Sequence, residues 1–486
     1  MNLWLFILIP AVLALASLLR RRWLLQLTAI VQFGLAVYAF RVAQLVVEYR
    51  TVDNLYFYLD SLSALFLLVI AVVAALVSLY GICYFRLEVE YAKLKPGRIA
   101  EYLFWYNLLI AALYLVTLTP NLGIVWVAIE ATTVTSVLLV GFDRTKVSTE
   151  AAWKYLLICS VGIVFALMGI MILHFGALPV IGSGRDALDW HQLTALAPRL
   201  NPELLKLALI FILIGFGTKV GFAPMHTWLP DAYSQAPIPV SILSGVLSSC
   251  ALYGVLRVAI IVRGCVGAGF VDQFFTFFGL ASVAVAIPFI LIQHDLKRLL
   301  GYSSIENMGV IAFGLGIGGK WAVVGSLLQV VNHAVAKAGL FMAAGQVVKR
   351  FRSKRLHRMR GLMRISPGLG TVFCAGLLAI FGFPPSAIFF SKATILYASL
   401  QQGRYFETLL FLLMLMAAFL GLFYYFSKVM FDPAPAKLDS VKEREDPRVL
   451  LIISIPLVML ALFGFYQPHA WRRLLLEAAR IVGGAQ

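Results

Sequence analysis

The sequence predicts an all-α polytopic membrane protein of about fourteen transmembrane helices. Three observations predict it. Of 486 residues, 61% are hydrophobic and 13% charged, whereas a soluble domain carries about 25% charged residues. Mean hydropathy is +0.91. The apolar residues fall into runs near the ~20 residues that a helix needs to cross a bilayer. These runs lie near 3–19, 24–47, 60–85, 103–118, 120–141, 152–174, 204–224, 237–262, 270–293, 298–317, 321–348, 367–400 (interrupted), 407–431 and 449–470.

The first run, MNLWLFILIPAVLALASLLRRR, lacks a basic leader and ends on three arginines. It reads as a first membrane helix rather than a cleaved signal. Basic residues then orient the chain. Arg20, Arg21 and Arg22 follow the first run, and Arg86, Lys93, Lys95 and Arg98 the third. Arg144 and Lys146 follow the fifth, Lys297 and Arg298 the ninth, and KRFRSKRLHRMRG from Lys349 the eleventh. Lys437, Lys442 and Arg444 follow the thirteenth. All are alternate loops, which places them on the cytoplasmic side and both termini on the other. This pattern accounts for the net charge of +17 without a nucleic-acid partner. The segment from Lys349 suits docking of a peripheral arm or anionic lipid. Cys83, Cys159, Cys250, Cys265 and Cys374 are dispersed, so no disulfide frame, iron–sulfur or zinc spacing is implied.

The seventh run carries the most informative chemistry. Lys219 lies deep within it among Gly215, Gly217 and Gly221, with Pro224 just beyond. Proline lacks an amide hydrogen and its ring crowds the Val220 carbonyl, so the helix breaks beside the lysine. A lysine at mid-membrane costs roughly 2.5–3.5 kcal/mol, which marks a proton or ion site. The twelfth run repeats the break at Gly382-Phe383-Pro384-Pro385, followed by Lys392. Two broken spans five apart run in opposite directions, the pattern of inverted repeats around a transport path.

Further ionisable groups lie at similar depth. Glu130 is about ten residues into its run, close to the midplane at ~1.5 Å per residue, with Thr133 one turn away. Gln329, His333 and Lys337 are spaced by four and form one polar stripe on an apolar helix. Glu306 in the tenth run is a candidate for proton transfer or support, and Lys154, with Glu150 four residues before it, for either a surface ion pair or a functional role. Asp231 and Asp295 sit by loops, where helix capping is expected. Lysine gives up its proton when desolvated and regains it beside a carboxylate, and histidine titrates near neutral pH. Sodium prefers a cage of oxygens, which a path dominated by lysines does not offer, so these groups point to proton relay. Gly314 to Gly319 matches GxGxxG but follows an apolar run rather than a strand, and reads as a tight interhelical turn.

The segments GTKVGFAPMHTWLPDAYSQAPIPVSILSG, HDLKRLLGYSSIENMG and NHAVAKAGLF resemble the antiporter-like subunits of respiratory complex I, Mrp-type cation/proton antiporters and energy-converting NiFe hydrogenases. WVAIEATTVTSVLLVGF, EAAWKYLLICSVGI and YSSIENMG are most similar to the hydrogenase-4/formate-hydrogenlyase branch. The resemblance implies two inverted five-helix repeats, each with a broken helix. It divides the chain into 1–102, first repeat 103–265, second repeat 266–431, and a C-terminal loop and helix at 432–486. By the same resemblance Glu130 and Lys219 match a glutamate–lysine pair, His333 and Lys337 a central axis, and Lys392 a terminal lysine. Many relatives carry a lysine on the eighth helix, where this chain reads LSSCALYG, so the relay is expected either to use water with Ser248 or Ser249 or to take another route. The chain ends soon after its last run without a long lateral helix, which implies an inner subunit.

The expectation is therefore a proton-translocating, non-catalytic subunit of a redox-driven complex in a bacterial or archaeal cytoplasmic membrane. Iron–sulfur, NiFe or flavin cofactors are expected only in partners, which include antiporter-like paralogues, other membrane subunits and a peripheral redox arm. Alternatives are an Mrp-type sodium/proton antiporter subunit, a subunit of an inorganic-carbon uptake complex, and a passive scaffold for a redox arm.

Overall fold

The computed structural model describes residues 2–53, 56–90, 96–182, 185–433 and 445–483. Lys93, Lys95, Lys437, Lys442 and Arg444 lie outside the described residues. The N-terminal helices are α1 (Leu5–Ser17), α2 (Trp23–Tyr49) and α3 (Ser61–Glu90), with a hairpin of β1 (Val52–Asp53) and β2 (Tyr58–Leu59) before α3. Next come α4 (Pro96–Leu118), α5 (Leu122–Val140), α6 (Lys146–Ile181), α7 (Trp190–Leu196), α8 (Pro202–Val220), α9 (Trp228–Gln235), α10 (Ile238–Ile242) and α11 (Ser244–Val266). The second half holds α12 (Ala268–Leu291), α13 (Leu296–Ile317), α14 (Gly319–Phe351), α15 (Leu362–Ile365), α16 (Pro367–Phe381), α17 (Ala387–Gln401) and α18 (Tyr405–Phe431). It closes with α19 (Pro447–Phe465) and α20 (His469–Gly483). Every expected run contains a helix. Ten of the described helical spans are long and apolar enough to cross a membrane by length and composition alone.

The helices form an inner and an outer layer. In α11 and α14, 94% of the most apolar stretch is buried, against 28% in α18 and α19. The outer helices present Leu8, Phe33, Val161, Leu409 and Leu451 outward, as a lipid-facing surface requires. Inner helices approach closely through small residues: a Cβ on Gly215 of α8 would meet the Ala166 backbone of α6 at 2.3 Å. Small residues at such crossings let backbones pack without a side chain between them.

Both expected breaks are present and share one construction. Helix α8 ends at Val220 and Gly221 adopts φ 90°; its N–H reaches the Thr218 carbonyl and the Phe222 N–H reaches that of Gly217. Helix α16 ends at Phe381 and Gly382 adopts φ 84°, with matching bonds to Ala379 and Leu378. This paired closure uses glycine because the left-handed conformation penalises a Cβ. A cis X-Pro bond follows each time, at Ala223-Pro224 and Pro384-Pro385.

Three features differ from the sequence reading. The run at 237–262 is divided into α10 and α11 at Leu243. Amphipathic α20 buries Leu474, Leu475, Ala478, Ala479 and Val482 against the bundle while Arg472, Arg473 and Arg480 face outward. The basic segment after α14 is partly built into the fold, since Leu356 and Leu296 donate backbone bonds to His294 and Lys354. The GxGxxG match resolves as expected: Gly318 and Gly319 turn between α13 and α14 at φ 72° and 69°.

Loop parity is visible in two cavities. Glu88, Asp143, Lys297 and Lys354, which follow the third, fifth, ninth and eleventh runs, line one cavity. Glu48, His191 and Gly264, which follow the second, sixth and eighth, line another with Arg480 of α20. Each cavity is thus lined by loops of one parity.

Candidate functional site

Lys219 occupies the last turn of α8 and is 2% exposed. Its Nζ donates to Thr133 Oγ1 of α5 at 2.5 Å and lies 5.2 Å from the centre of the Tyr155 ring. Tyr155 is fixed by a hydroxyl contact to Ser136 at 2.8 Å and by stacking on Trp228. Trp228 in turn donates to the Thr218 carbonyl at 2.8 Å, tying the second half of the broken span to the first. Glu130 lies one turn before Thr133, and its Oε2 is buried without a hydrogen-bond partner among the described residues. The expected glutamate–lysine pair is therefore not a direct contact here: the Thr133 hydroxyl accepts from the lysine instead.

The stripe on α14 is entirely interior, with Gln329, His333 and Lys337 each 0% exposed. Two of its members bond to neighbouring helices. Lys337 Nζ donates to the Leu300 carbonyl at 2.6 Å and to Ser303 Oγ. Gln329 donates to Asn307 Oδ1 at 2.7 Å and accepts from Ser391 Oγ. Both ring nitrogens of His333 are buried and without a hydrogen-bond partner among the described residues.

Glu306 lies in direct contact with the second broken span. Its Oε1 pairs with Lys392 Nζ at 3.2 Å and its other oxygen accepts from Asn307. Asn307 also donates to the Ser303 carbonyl at 2.7 Å. Lys337, Ser303, Asn307, Gln329, Glu306 and Lys392 thus form one connected interior cluster spanning α13, α14 and α17.

Other candidates lie apart from this axis. Lys154 is half-exposed, pairs with Glu150 at 2.5 Å and lies 3.8 Å from Asp231, which is the ordinary surface reading. Asp231 pairs with Arg298 and does not cap α9; long basic chains from α6 and α13 reach it first. Asp295 does cap α13, accepting from the Arg298 N–H at 2.9 Å. Ser249 donates to the Gly245 carbonyl of its own helix at 2.7 Å and is not turned toward a relay. Ser248 contacts the Tyr233 hydroxyl at 3.4 Å instead. Tyr233 packs edge-on against Trp228 and Phe341, and so sits between the Lys219 surroundings and α14.

One buried ion pair escapes the sequence reading. Arg257 of α11 grips Asp60 through two nitrogens at 2.6 and 2.8 Å, also donates to Ser63, and lies 3.7 Å above the Trp190 ring. A lone arginine within the apolar stretch ALYGVLRVAIIV is its signal. No group of three or more His, Cys, Asp or Glu able to hold a metal occurs among the described residues.

Residues 119–421 match the family described as NADH:quinone oxidoreductase/Mrp antiporter, transmembrane, and residues 53–93 match the complex I chain 5 N-terminus. The chain belongs to this family of antiporter-like membrane subunits. It is 38% identical to a hydrogenase-4 component F homologue of Methylacidiphilum infernorum, across 72% of this chain and 73% of that protein. It is 32% identical to NADH-quinone oxidoreductase subunit N of Desulforudis audaxviator over 59% of its own length, and spans 56% of that relative. Its fold matches a chain of the membrane-bound sulfane sulfur reductase, an archaeal respiratory membrane complex, at TM-score 0.87, with 22% identity and coverage of 99% and 97%. A chain of the Mrp complex from a Dietzia species gives TM-score 0.84 at 18% identity, with coverage of 99% and 96%.

Proposed function

We propose that this protein carries protons across the membrane along its buried axis, within a redox-driven complex. The observation that carries the reading is the interior placement of Lys219, His333 and Lys337, together with the Glu306–Lys392 pair at 4% and 12% exposure, in a bundle whose outer helices face outward with apolar side chains. Ionisable groups at such depth are costly and mark proton or ion paths. Glu130 and Lys219 exchange charge at one end, where the Thr133 hydroxyl holds the amine. Tyr233 and Ser248 bridge toward α14, where relatives with a lysine on the eighth helix have a second amine. Lys337 and His333 carry the proton across, and Glu306–Lys392 delivers it on the far side. Neutralising one group raises or lowers the proton affinity of the next, which supplies the coupling.

Protons suit the site better than sodium, because the lysines that dominate the axis are hydrogen-bond donors with no acceptor to offer a cation. The cofactors of the driving reaction are assigned to partner proteins, and the cytoplasmic membrane of a bacterium or archaeon is the assigned location, with both termini outside. A sodium/proton antiport reading is favoured by one observation. The chain is 29% identical to a Na(+)/H(+) antiporter component of Alkalihalophilus pseudofirmus, over 88% of its own length and 54% of that protein. Recovery of the protein from mild detergent decides between them. Co-purification with iron–sulfur proteins supports the redox-driven reading, and recovery with membrane proteins alone, together with sodium-dependent exchange, overturns it.

A further inference from the structure

The cavity shared by alternate loops has a volume of about 580 Å³, far above the ~10–15 Å³ that one water requires. Tyr80, Glu88, Asp143, Lys297 and Lys354 are among its lining residues. Lys297 forms part of its wall yet is only 2% exposed, and its Nζ donates to the Ala236 carbonyl at 2.5 Å. The charged groups acting on this amine from neighbouring elements are Lys354, Asp295 and Asp143. Lys297 thus sits where a water-accessible space ends and the protein interior begins.

Its position on α13 connects it to the axis. Leu300 follows it by three residues, about 4.5 Å along the helix, and the Leu300 carbonyl is the one that accepts from Lys337. Ser303 Oγ also accepts from Lys337 and donates back to that same carbonyl at 3.0 Å. The first two turns of α13 therefore carry a cavity-facing amine at one end and the acceptors of the central amine at the other.

We propose that this cavity is a proton intake and that Lys297 is its first buried acceptor, loading Lys337 through the Ser303 hydroxyl. The inference rests on the proton-carrying reading of the axis. In the step, a hydrated proton in the cavity binds the neutral Lys297 amine. The resulting ammonium releases one proton to a chain of water spanning the six residues to Ser303, about 9 Å of helix. The Ser303 oxygen takes a proton from that water as its own hydrogen, turned from the Leu300 carbonyl, passes to the neutral Lys337 amine. Lys297 returns to its neutral form, Ser303 ends with one hydrogen as it began, and Lys337 holds the added proton as an ammonium.

A merely structural lysine would hold the end of α9. Lys354 already donates to the Ser234 carbonyl at 3.0 Å and to Gln235 Oε1 at 3.2 Å there. Lys297→Arg separates the two roles, because guanidinium keeps charge and donor but does not release its proton. The test measures proton uptake by vesicles holding the assembled complex, with Lys297→Arg, Lys337→Met and wild type side by side. Lys297→Arg is expected to assemble normally and lose at least ten-fold in uptake rate. Wild-type uptake in Lys297→Arg beside loss in Lys337→Met overturns the intake alone. Wild-type uptake in both overturns the axis itself. A second arm labels Ser353→Cys at the cavity wall with a bulky, membrane-impermeant maleimide, and full labelling should block uptake. Unchanged uptake in the labelled protein contradicts the intake even if the arginine variant fails to assemble.

Discussion

Glu306 and Lys392 meet at 3.2 Å inside the protein, with side chains 4% and 12% exposed. Five spans earlier, among the corresponding residue types, Lys219 donates to the Thr133 hydroxyl while Glu130 Oε2 is left without a hydrogen-bond partner among the described residues. One half of the protein therefore holds its lysine against a carboxylate, and the other holds it against a neutral acceptor. The contrast matters for transfer: a lysine bound to a carboxylate retains its proton, and one bound to a hydroxyl gives it up more readily.

Breaking the closed pair should be costly. Lys392→Met leaves Glu306 as an uncompensated buried charge, at about 3–5 kcal/mol. The melting midpoint of the purified protein should fall clearly in Lys392→Met and recover substantially in Glu306→Gln/Lys392→Met. Equal destabilisation of the single and double variants contradicts an energetic pair.

Thr133→Val removes the acceptor of Lys219 while preserving shape. A hydrogen bond to a charged donor contributes about 1.5–3 kcal/mol. Loss of stability in that range is expected with slowed proton uptake, and Thr133→Ser should restore both. Native behaviour of Thr133→Val would show that Lys219 is held by other contacts.

Much of this site is legible in the sequence because ionisable residues inside apolar runs stand out against their surroundings. Lys219, the α14 stripe and both Gly/Pro breaks declare themselves that way. Partner choice is not legible. The pairing of Glu306 with Lys392 depends on how α13 and α17 cross, and the choice of Thr133 rather than Glu130 as the acceptor of Lys219 depends on about one turn of α5. Lys297 is masked by its neighbour Arg298, since two adjacent cations at the end of a run read as a loop even though one turns inward. Arg257 carries the same signal, a lone charge within an apolar run, but its partner Asp60 lies 197 residues away and is not legible. Helix α20 goes unseen because its apolar face is too short to register as a membrane run.

The bridge between the two halves is tested at Tyr233. Tyr233→Phe deletes the hydroxyl near Ser248 while keeping the ring packed on Trp228 and Phe341. Assembly should be unchanged and proton uptake reduced several-fold. Wild-type uptake would place the crossing elsewhere.

Arg257→Met should destabilise without a specific transport defect. It strands Asp60 in the interior, at about 3–5 kcal/mol, but touches no member of the axis. The measurement is uptake per assembled complex, expected to stay close to wild type while yield and melting midpoint fall. Lys154→Ala, at a half-exposed ion pair, should change stability by less than about 1 kcal/mol and leave uptake intact.

The central claim is that Lys219 carries protons. Its most direct test is proton uptake by sealed vesicles containing the assembled complex with Lys219→Ala, normalised to the amount of assembled protein. The account predicts an intact complex in which uptake through this protein is abolished. An intact Lys219→Ala complex that takes up protons at the wild-type rate would contradict it.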